Sequence, residues 1–231
     1  MAKDNAAYIH PKTGNIVLPK GRLLWNSLFQ PRKGKGGKDG KYEFNELIPK
    51  DADISVLKEE AVAAGKEKFA KAFKDANGKW PSSIKSPFKR TEGNDKLVAA
   101  LEEAGLKVED FPYFIAARSK DKPGVVGPNG KADGIEPEHV YSGRWVRGTI
   151  QAFGYDAEGN KGVSFGLINV QLLDNDDELV VGGGRVSAES EFEAVDGAGD
   201  DAKSSDDVFG GSGSSKKSSR PKWDQDDEIP F

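Results

Sequence analysis

Cysteine is absent from the 231-residue chain, which excludes a disulfide frame and a thiolate metal site and suits a reducing cytoplasm. Histidine is nearly absent too. His10 and His139 are the only imidazoles, and each lies beside prolines or acids with no partners arranged for a metal or a triad. No stretch approaches the roughly 20 apolar residues of a membrane span, and residues 1–12 carry no apolar run of signal-peptide length. A soluble, cytoplasmic protein is expected, with no membrane partner. Two loops imitate known motifs and fail on spacing. For Gly40-Lys41 to close a phosphate loop, a glycine would have to stand at Lys35 and a serine or threonine at Tyr42. The run Asp174-Asn175-Asp176-Asp177-Glu178 lacks the alternating ligands and the glycine of a calcium loop. No catalytic set, cofactor or metal site emerges, so no enzyme is expected.

Net charge is −4, which at first argues against a polyanionic partner. Its distribution argues the other way. Residues 196–231 carry nine acids and five bases, and the first 195 residues carry 29 of each. Residues 20–41 alone hold seven bases and a single acid, Asp39. A locally basic body joined to an acidic tail is the pattern to explain.

Along the chain, residues 14–30 alternate loosely and suggest one or two strands, and 41–48 suggest another. Between them lies a basic, glycine-rich loop. A helix is expected after Asp53 as N-cap, with Leu57, Ala61, Ala64, Phe69 and Phe73 forming its apolar stripe. Residues 77–95 read as a loop, and a short second helix over about 96–104 stops at Gly105. The second half is strand-rich. Residues 111–117 and the long hairpin 140–155/163–173 are strands, the hairpin turning at Gly159-Asn160, with a further edge over 179–186. Beyond Asp196 apolar residues almost vanish, and disorder is expected. The fold class is therefore mainly β with inserted helices: an OB-type antiparallel barrel over 1–195, a helical insertion at about 53–105, and a disordered acidic tail over 196–231. Other small barrels fit the same pattern.

The hairpin carries the strongest hint of chemistry. Val146, Gly148, Ile150 and Ala152 make one face small and apolar. Trp145, Arg147, Thr149, Gln151, Phe153 and Tyr155 make the other. On the return strand Ile168, Val170 and Leu172 fall on the core side and Phe165, Asn169 and Gln171 opposite, with Leu167 breaking the alternation. Rings beside guanidinium and amide groups suit a platform on which bases stack while phosphates are held; packing under the helix or at a subunit contact is the alternative for those rings. Three basic loops would complete a groove: Arg32, Lys33, Lys35, Lys38 and Lys41; Lys85, Lys89 and Arg90 around Phe88; Arg118, Lys120 and Lys122. They interleave with Trp25, Phe29, Tyr42, Trp80 and Phe88, and Arg144 precedes the hairpin.

The chain closes on Asp226-Asp227-Glu228-Ile229-Pro230-Phe231. Phe231 can fill a small apolar pocket of a partner while its carboxylate meets a cation and the three acids face a basic rim. This tip is similar to the acidic end of bacterial single-stranded DNA-binding proteins. The blocks Trp25-Asn26-Ser27-Leu28-Phe29, Lys41-Tyr42, residues 111–118, residues 140–147 and residues 162–167 resemble a family of phage-encoded single-stranded DNA-binding proteins over most of residues 16–186. The resemblance implies an OB-fold that binds ssDNA in phage replication or recombination within the bacterial host cytoplasm. It also implies a tail that contacts replication proteins. The inserted helix and the loop 77–95 depart from a minimal bacterial member, so the tetramer of that family is not carried over and self-association stays open. A non-enzymatic adaptor that binds a protein through the barrel face and tail is the competing expectation.

Overall fold

The division of small and large residues on the long hairpin sets the architecture. Of the face expected to be apolar, Val146, Gly148 and Ile150 are buried and Ala152 half-buried. They line the interior of a barrel in the computed structural model, which describes residues 5–33, 40–157 and 159–174. All of these fall within one compact unit, Met1–Gly184. The expected edge at 179–186 and the acidic tail lie outside the described residues, as do Lys35 and Lys38.

Ten strands are described: β1 (Tyr8–Ile9), β2 (Ile16–Val17), β3 (Gly21–Leu23), β4 (Ser27–Arg32), β5 (Lys41–Ile48), β6 (Phe88–Arg90), β7 (Tyr113–Ser119), β8 (Gly124–Val126), β9 (Trp145–Ala157) and β10 (Asn160–Leu172). The ring β9-β3-β5-β7-β10 closes on itself through the β9–β10 hairpin. Every pairing in it is antiparallel except β7–β10, which is parallel. With β3 and β4 taken as one broken strand, this is the five-stranded Greek-key barrel of an OB-fold. Closure removes the central edges that would otherwise template aggregation.

Two helices, α1 (Ser55–Asp75) and α2 (Asp95–Glu103), stand between β5 and β7. Asp53 lies one residue before the observed cap, Ile54, and its carboxylate accepts from both the backbone N–H and the hydroxyl of Ser55. Leu57, Ala61, Ala64 and Phe73 are buried as the stripe requires, but Phe69 leaves helical geometry at φ −129° and ψ 43°. The helix crosses β9 closely at Gly154, where a Cβ would come within 2.5 Å of the Lys68 Cβ. Asn94 caps α2 by accepting from Leu97 N–H, and Gly105, at φ 69°, ends the segment.

The differences from the sequence expectation have local causes. Residues 77–95 contain the short strand β6, too brief to show a period, and residues 118–137 contain β8 for the same reason. The long strand begins at Trp145 rather than 140, because a 3-10 turn at Pro137–His139 and Gly143 at φ 98° bend the chain first. In the return strand the register shifts between Leu167 and Asn169. This bulge moves Val163, Phe165 and Leu167 inward along with Val170 and Leu172, since a one-residue slip exchanges the faces of a strand.

Strand β5 also carries one acid inside. Glu46 is fully buried, Gly148 N–H donates to its Oε2 at 3.3 Å, and its Oε1 has no hydrogen-bond partner among the described residues. Burial pushes the carboxyl pKa well above its usual range, opposed by the Gly148 N–H and the charge of Arg147. A carboxyl with a raised folded-state pKa keeps its proton in the fold where the unfolded chain has already lost it. Stability then declines as pH rises from the ordinary carboxylate range through the folded value. Glu46→Gln is expected to remove this decline, giving a flatter profile of melting temperature against pH and a higher value at the alkaline end. An unchanged profile would show that Glu46 is ionised in the fold.

Candidate nucleic-acid interface

The outer surface of the second and third barrel strands, β5 and β7, is built from one alternation. Ile115 and Ala117 enter the core while Phe114, Ala116 and Arg118 face out; opposite them Glu43, Asn45 and Leu47 face out from β5. Cross-strand register links five strands in one row: Trp145, Arg22, Leu47, Phe114 and Lys89 are successive Cα partners across β9, β3, β5, β7 and β6. A second row runs Ser27, Glu43, Arg118, Gly166 and Gln151 across β4, β5, β7, β10 and β9. Side chains in such a row share a face of the sheet.

The first row has an apolar floor. Leu24, Leu47, Phe111 and Phe114 pack with Leu97 and Leu101 of α2, and Trp25 and Trp145 are half-buried at the margin of that cluster. Trp25 meets Phe114 edge to face, with centroids 5.7 Å apart at 70°. Its backbone is tied to β5, where Asn45 Nδ2 donates to Trp25 O at 2.8 Å. Lys89 Nζ stands 5.4 Å from the Phe114 ring centre. Burial lowers the pKa of Lys89, Arg118 lowers it further, and Glu43 works against both.

The second row is organised by a single acid. Arg118 Nε donates to Glu43 Oε1 at 2.9 Å, and Arg32 approaches Glu43 Oε2 at 3.6 Å. One half-buried carboxylate thus holds two exposed guanidiniums over the same strip, each with further donors facing solvent. Beyond them, Lys122 Nζ lies 6.0 Å from the Phe29 ring centre, and Lys33, Lys41 and Lys120 are exposed nearby in sequence. On the far side of β10, Phe153 is 46% exposed, and its ring edge lies 3.8 Å from where a Cβ on Gly166 would be. Rings flanked by donors on one outer surface are what unpaired bases and their phosphates require.

The structure divides the expected residues. It brings together Trp25, Arg32, Lys89, Arg118 and Phe153 on this surface, with Lys33 and Lys120 exposed at its ends; Phe29 packs against the interior cluster with Lys122 beside its ring. Phe165 is a correction: at 1% exposure it is core, and Phe88 packs edge-on against it at 5.9 Å. Tyr42 and Phe88 are likewise turned toward the interior cluster. Arg144 is a second correction. It is buried, and its guanidinium donates to His139 O at 2.8 Å and Leu173 O at 3.2 Å, bracing the entry to β9. Arg90 pairs with Glu92, and Tyr155 rests against its cross-strand partner Gly162. Trp145 lies under Lys20 and Arg22, and Arg147 sits beside the buried Glu46. The amides of the return strand are also committed: Asn169 Oδ1 accepts from Gly124 N–H and Gln171 Nε2 donates to Pro128 O. The tip Asp226 to Phe231 lies outside the described residues. Phe114 and Glu43 were missed, although the alternation of 113–119 against 41–48 carried the signal. Among the described residues no group of three or more His, Cys, Asp or Glu side chains is placed to hold a metal ion, and no helix is long and apolar enough to cross a membrane.

A family model described as Enterobacter phage Enc34, ssDNA-binding protein matches residues 14–208. Protein p50 of Acyrthosiphon pisum secondary endosymbiont phage 1 is 31% identical over 178 residues, covering 75% of this chain and 90% of p50. The single-stranded DNA-binding protein of bacteriophage Enc34, solved in complex with ssDNA, superposes with a TM-score of 0.54 at 19% identity, over 78% of this chain and 96% of that one. A further structure of the Enc34 protein gives a TM-score of 0.53 at 19% identity, over 84% and 97%. The structural likeness extends to the fold.

Proposed function

The chain belongs to the family of the Enterobacter phage Enc34 ssDNA-binding protein, a non-enzymatic family, and on that premise we propose that it binds single-stranded DNA without sequence preference across the outer surface of β5 and β7. The observation that carries this reading is the pair of rows on that surface: half-buried Trp25, seated edge-on against the buried ring of Phe114, with Lys89 beside them and Arg118 and Arg32 held by Glu43. OB-folds take oligonucleotides on this same pair of strands and on the loops between strands 1 and 2 and strands 4 and 5. Here Lys33, just past β4, leads toward the first of these, and the β9–β10 hairpin carries the second. Rings take the bases and cations the phosphates, and because every base offers a stacking face this suits sequence tolerance.

The test is a titration of the full-length protein with oligo-dT, followed by tryptophan fluorescence at several salt concentrations. Quenching through Trp25 is expected. If Arg32, Lys89, Arg118 and Lys122 each neutralise one phosphate, the slope of log K against log salt is about −3, at roughly −0.7 per contact. Absent quenching, or a slope near zero, contradicts the reading and favours a protein-binding adaptor.

The acidic tail completes the proposal. Its carboxylates compete with phosphate for the cations of the face, and once DNA is bound Asp226 to Phe231 recruit replication or recombination proteins in the host cytoplasm. Deleting residues 196–231 is expected to tighten ssDNA binding, most visibly at low salt where screening is weakest, and to abolish recruitment. Equal affinity with and without the tail contradicts the competition. Recruitment that persists without Ile229, Pro230 and Phe231 contradicts the role of the tip.

A further inference from the structure

Strand β6 has two sides, and only one belongs to the surface above. Lys89 faces the candidate interface, while Phe88 turns the other way, toward a pocket of about 470 Å³ between α1 and the segment leading into β6. Its walls are the α1 cap Ile54, Val62 and Phe73 of α1, the ring of Trp80, Phe88 and Tyr113. Trp80 is fixed there, since its Nε1 donates to Ile84 O at 2.6 Å and its ring meets Phe73 edge to face at 5.3 Å. Lys58, Lys66 and Lys79 also line the pocket. All three are exposed, none forms an ion pair among the described residues, and no acid lines the opening.

We propose that this pocket is a second subsite for single-stranded DNA: the strand leaves the β5–β7 surface at Lys89, rounds the edge strand β6, and places one base between Trp80 and Phe88 while Lys58, Lys66 and Lys79 hold the adjoining phosphates. The inference rests on the proposed function and extends it. Two features favour a nucleobase as occupant. The pocket is continuous with the candidate interface through β6, whose neighbouring residues Phe88 and Lys89 serve one side each. Its charge is complementary to phosphate, because Lys58, Lys66 and Lys79 line it and no carboxylate is among its lining residues, Asp53 lying nearby and acting on Lys58. A base also has an apolar face for the rings and polar edges within the chemistry of the Ser86 and Tyr113 hydroxyls, which lie among the lining residues. Trp80 and Phe88 carry the stacking in this arrangement, which gives Phe88 a DNA contact on the side of β6 away from the main surface.

The experiment compares oligo-dT of two lengths on the full-length protein. One is short enough for the main surface alone, about six nucleotides. The other is about sixteen nucleotides, the upper end of what one OB-fold covers. The triple variant Lys58→Ala/Lys66→Ala/Lys79→Ala changes only exposed side chains and keeps the aromatic walls. It is expected to bind the short oligonucleotide as the parent does, and to bind the long one at least tenfold more weakly, with a salt slope shallower by about 2 for three lost contacts. Trp80→Phe keeps a ring in the wall and is expected to lose the part of the quenching that only the long oligonucleotide produces. Equal weakening at both lengths, or none at either, overturns the proposal. Because binding of the short oligonucleotide reports the β5–β7 surface separately, loss of that surface and loss of the subsite are distinguishable. A pocket whose Trp80 signal responds to a synthetic acidic peptide ending Ile-Pro-Phe, but not to the long oligonucleotide, also overturns it and makes the site a peptide pocket.

Discussion

Replacing Lys89 and Arg118 together by alanine is expected to weaken ssDNA binding at least about 25-fold at 0.1 M salt and to make the salt slope shallower by about 1.4. Both figures follow from two lost phosphate contacts at roughly 0.7 each on a single strand. The observed loss is expected to exceed this figure because of Glu43. Its carboxylate is now held between Arg118 and Arg32. With Arg118 gone it faces the phosphates with one partner fewer, adding repulsion to the missing attraction. Glu43→Gln in the parent is the complementary measurement, and tighter binding is expected from it. The double variant keeps the floor of Trp25 and Phe114, so fluorescence quenching per bound oligonucleotide should persist while affinity falls. Unaltered affinity would place the phosphates elsewhere on the barrel.

The largest effect on stability is expected at Phe165. Phe165→Ala should cost about 3–5 kcal/mol, the range for removing a buried ring and leaving a cavity, because Phe165 is 1% exposed and in edge contact with Phe88. Denaturant unfolding measures this directly. Its contrast is Phe153, 46% exposed on the outer surface, where alanine should cost little stability and should weaken ssDNA binding by the contribution of one stacked base, about 1–3 kcal/mol. A stable Phe165→Ala protein with impaired DNA binding would reverse the assignment of the two rings.

That pair shows where the sequence was legible and where it was not. Period-two alternation placed Val146, Gly148 and Ile150 inside and Phe153 outside. It failed at Phe165 because counting by twos assumes unbroken register. The bulge after Leu167 lets residues on either side of it point inward together, and Leu167, the one residue out of step, was the visible trace of it. Gly148 is legible in hindsight as well: a Cβ there would lie 2.6 Å from the Phe44 ring, so the barrel closes only around a glycine. The cations were harder. Arg118 and Arg144 both sit at or near a barrel strand and read alike as exposed cations, yet one lies exposed against Glu43 and the other is buried against backbone carbonyls. What separates them is long-range pairing, Glu43 with Arg118 across β5 and β7 and His139 with Leu173 around Arg144, which no local pattern encodes. The short strands β6 and β8 escaped for a related reason. Three residues show no period, and their pairing with β7 and β10 is what makes them strands.

Binding of the DNA across the outer surface of β5 and β7 is tested most directly by backbone and side-chain chemical-shift mapping of the full-length protein with a short oligo-dT. The largest shifts are expected at Trp25, Arg32, Lys89, Ala116, Arg118 and Phe153, residues far apart in sequence that share this surface. Shifts confined to β8 and its contacts with Asn169 and Gln171, with β5 and β7 silent, would contradict it.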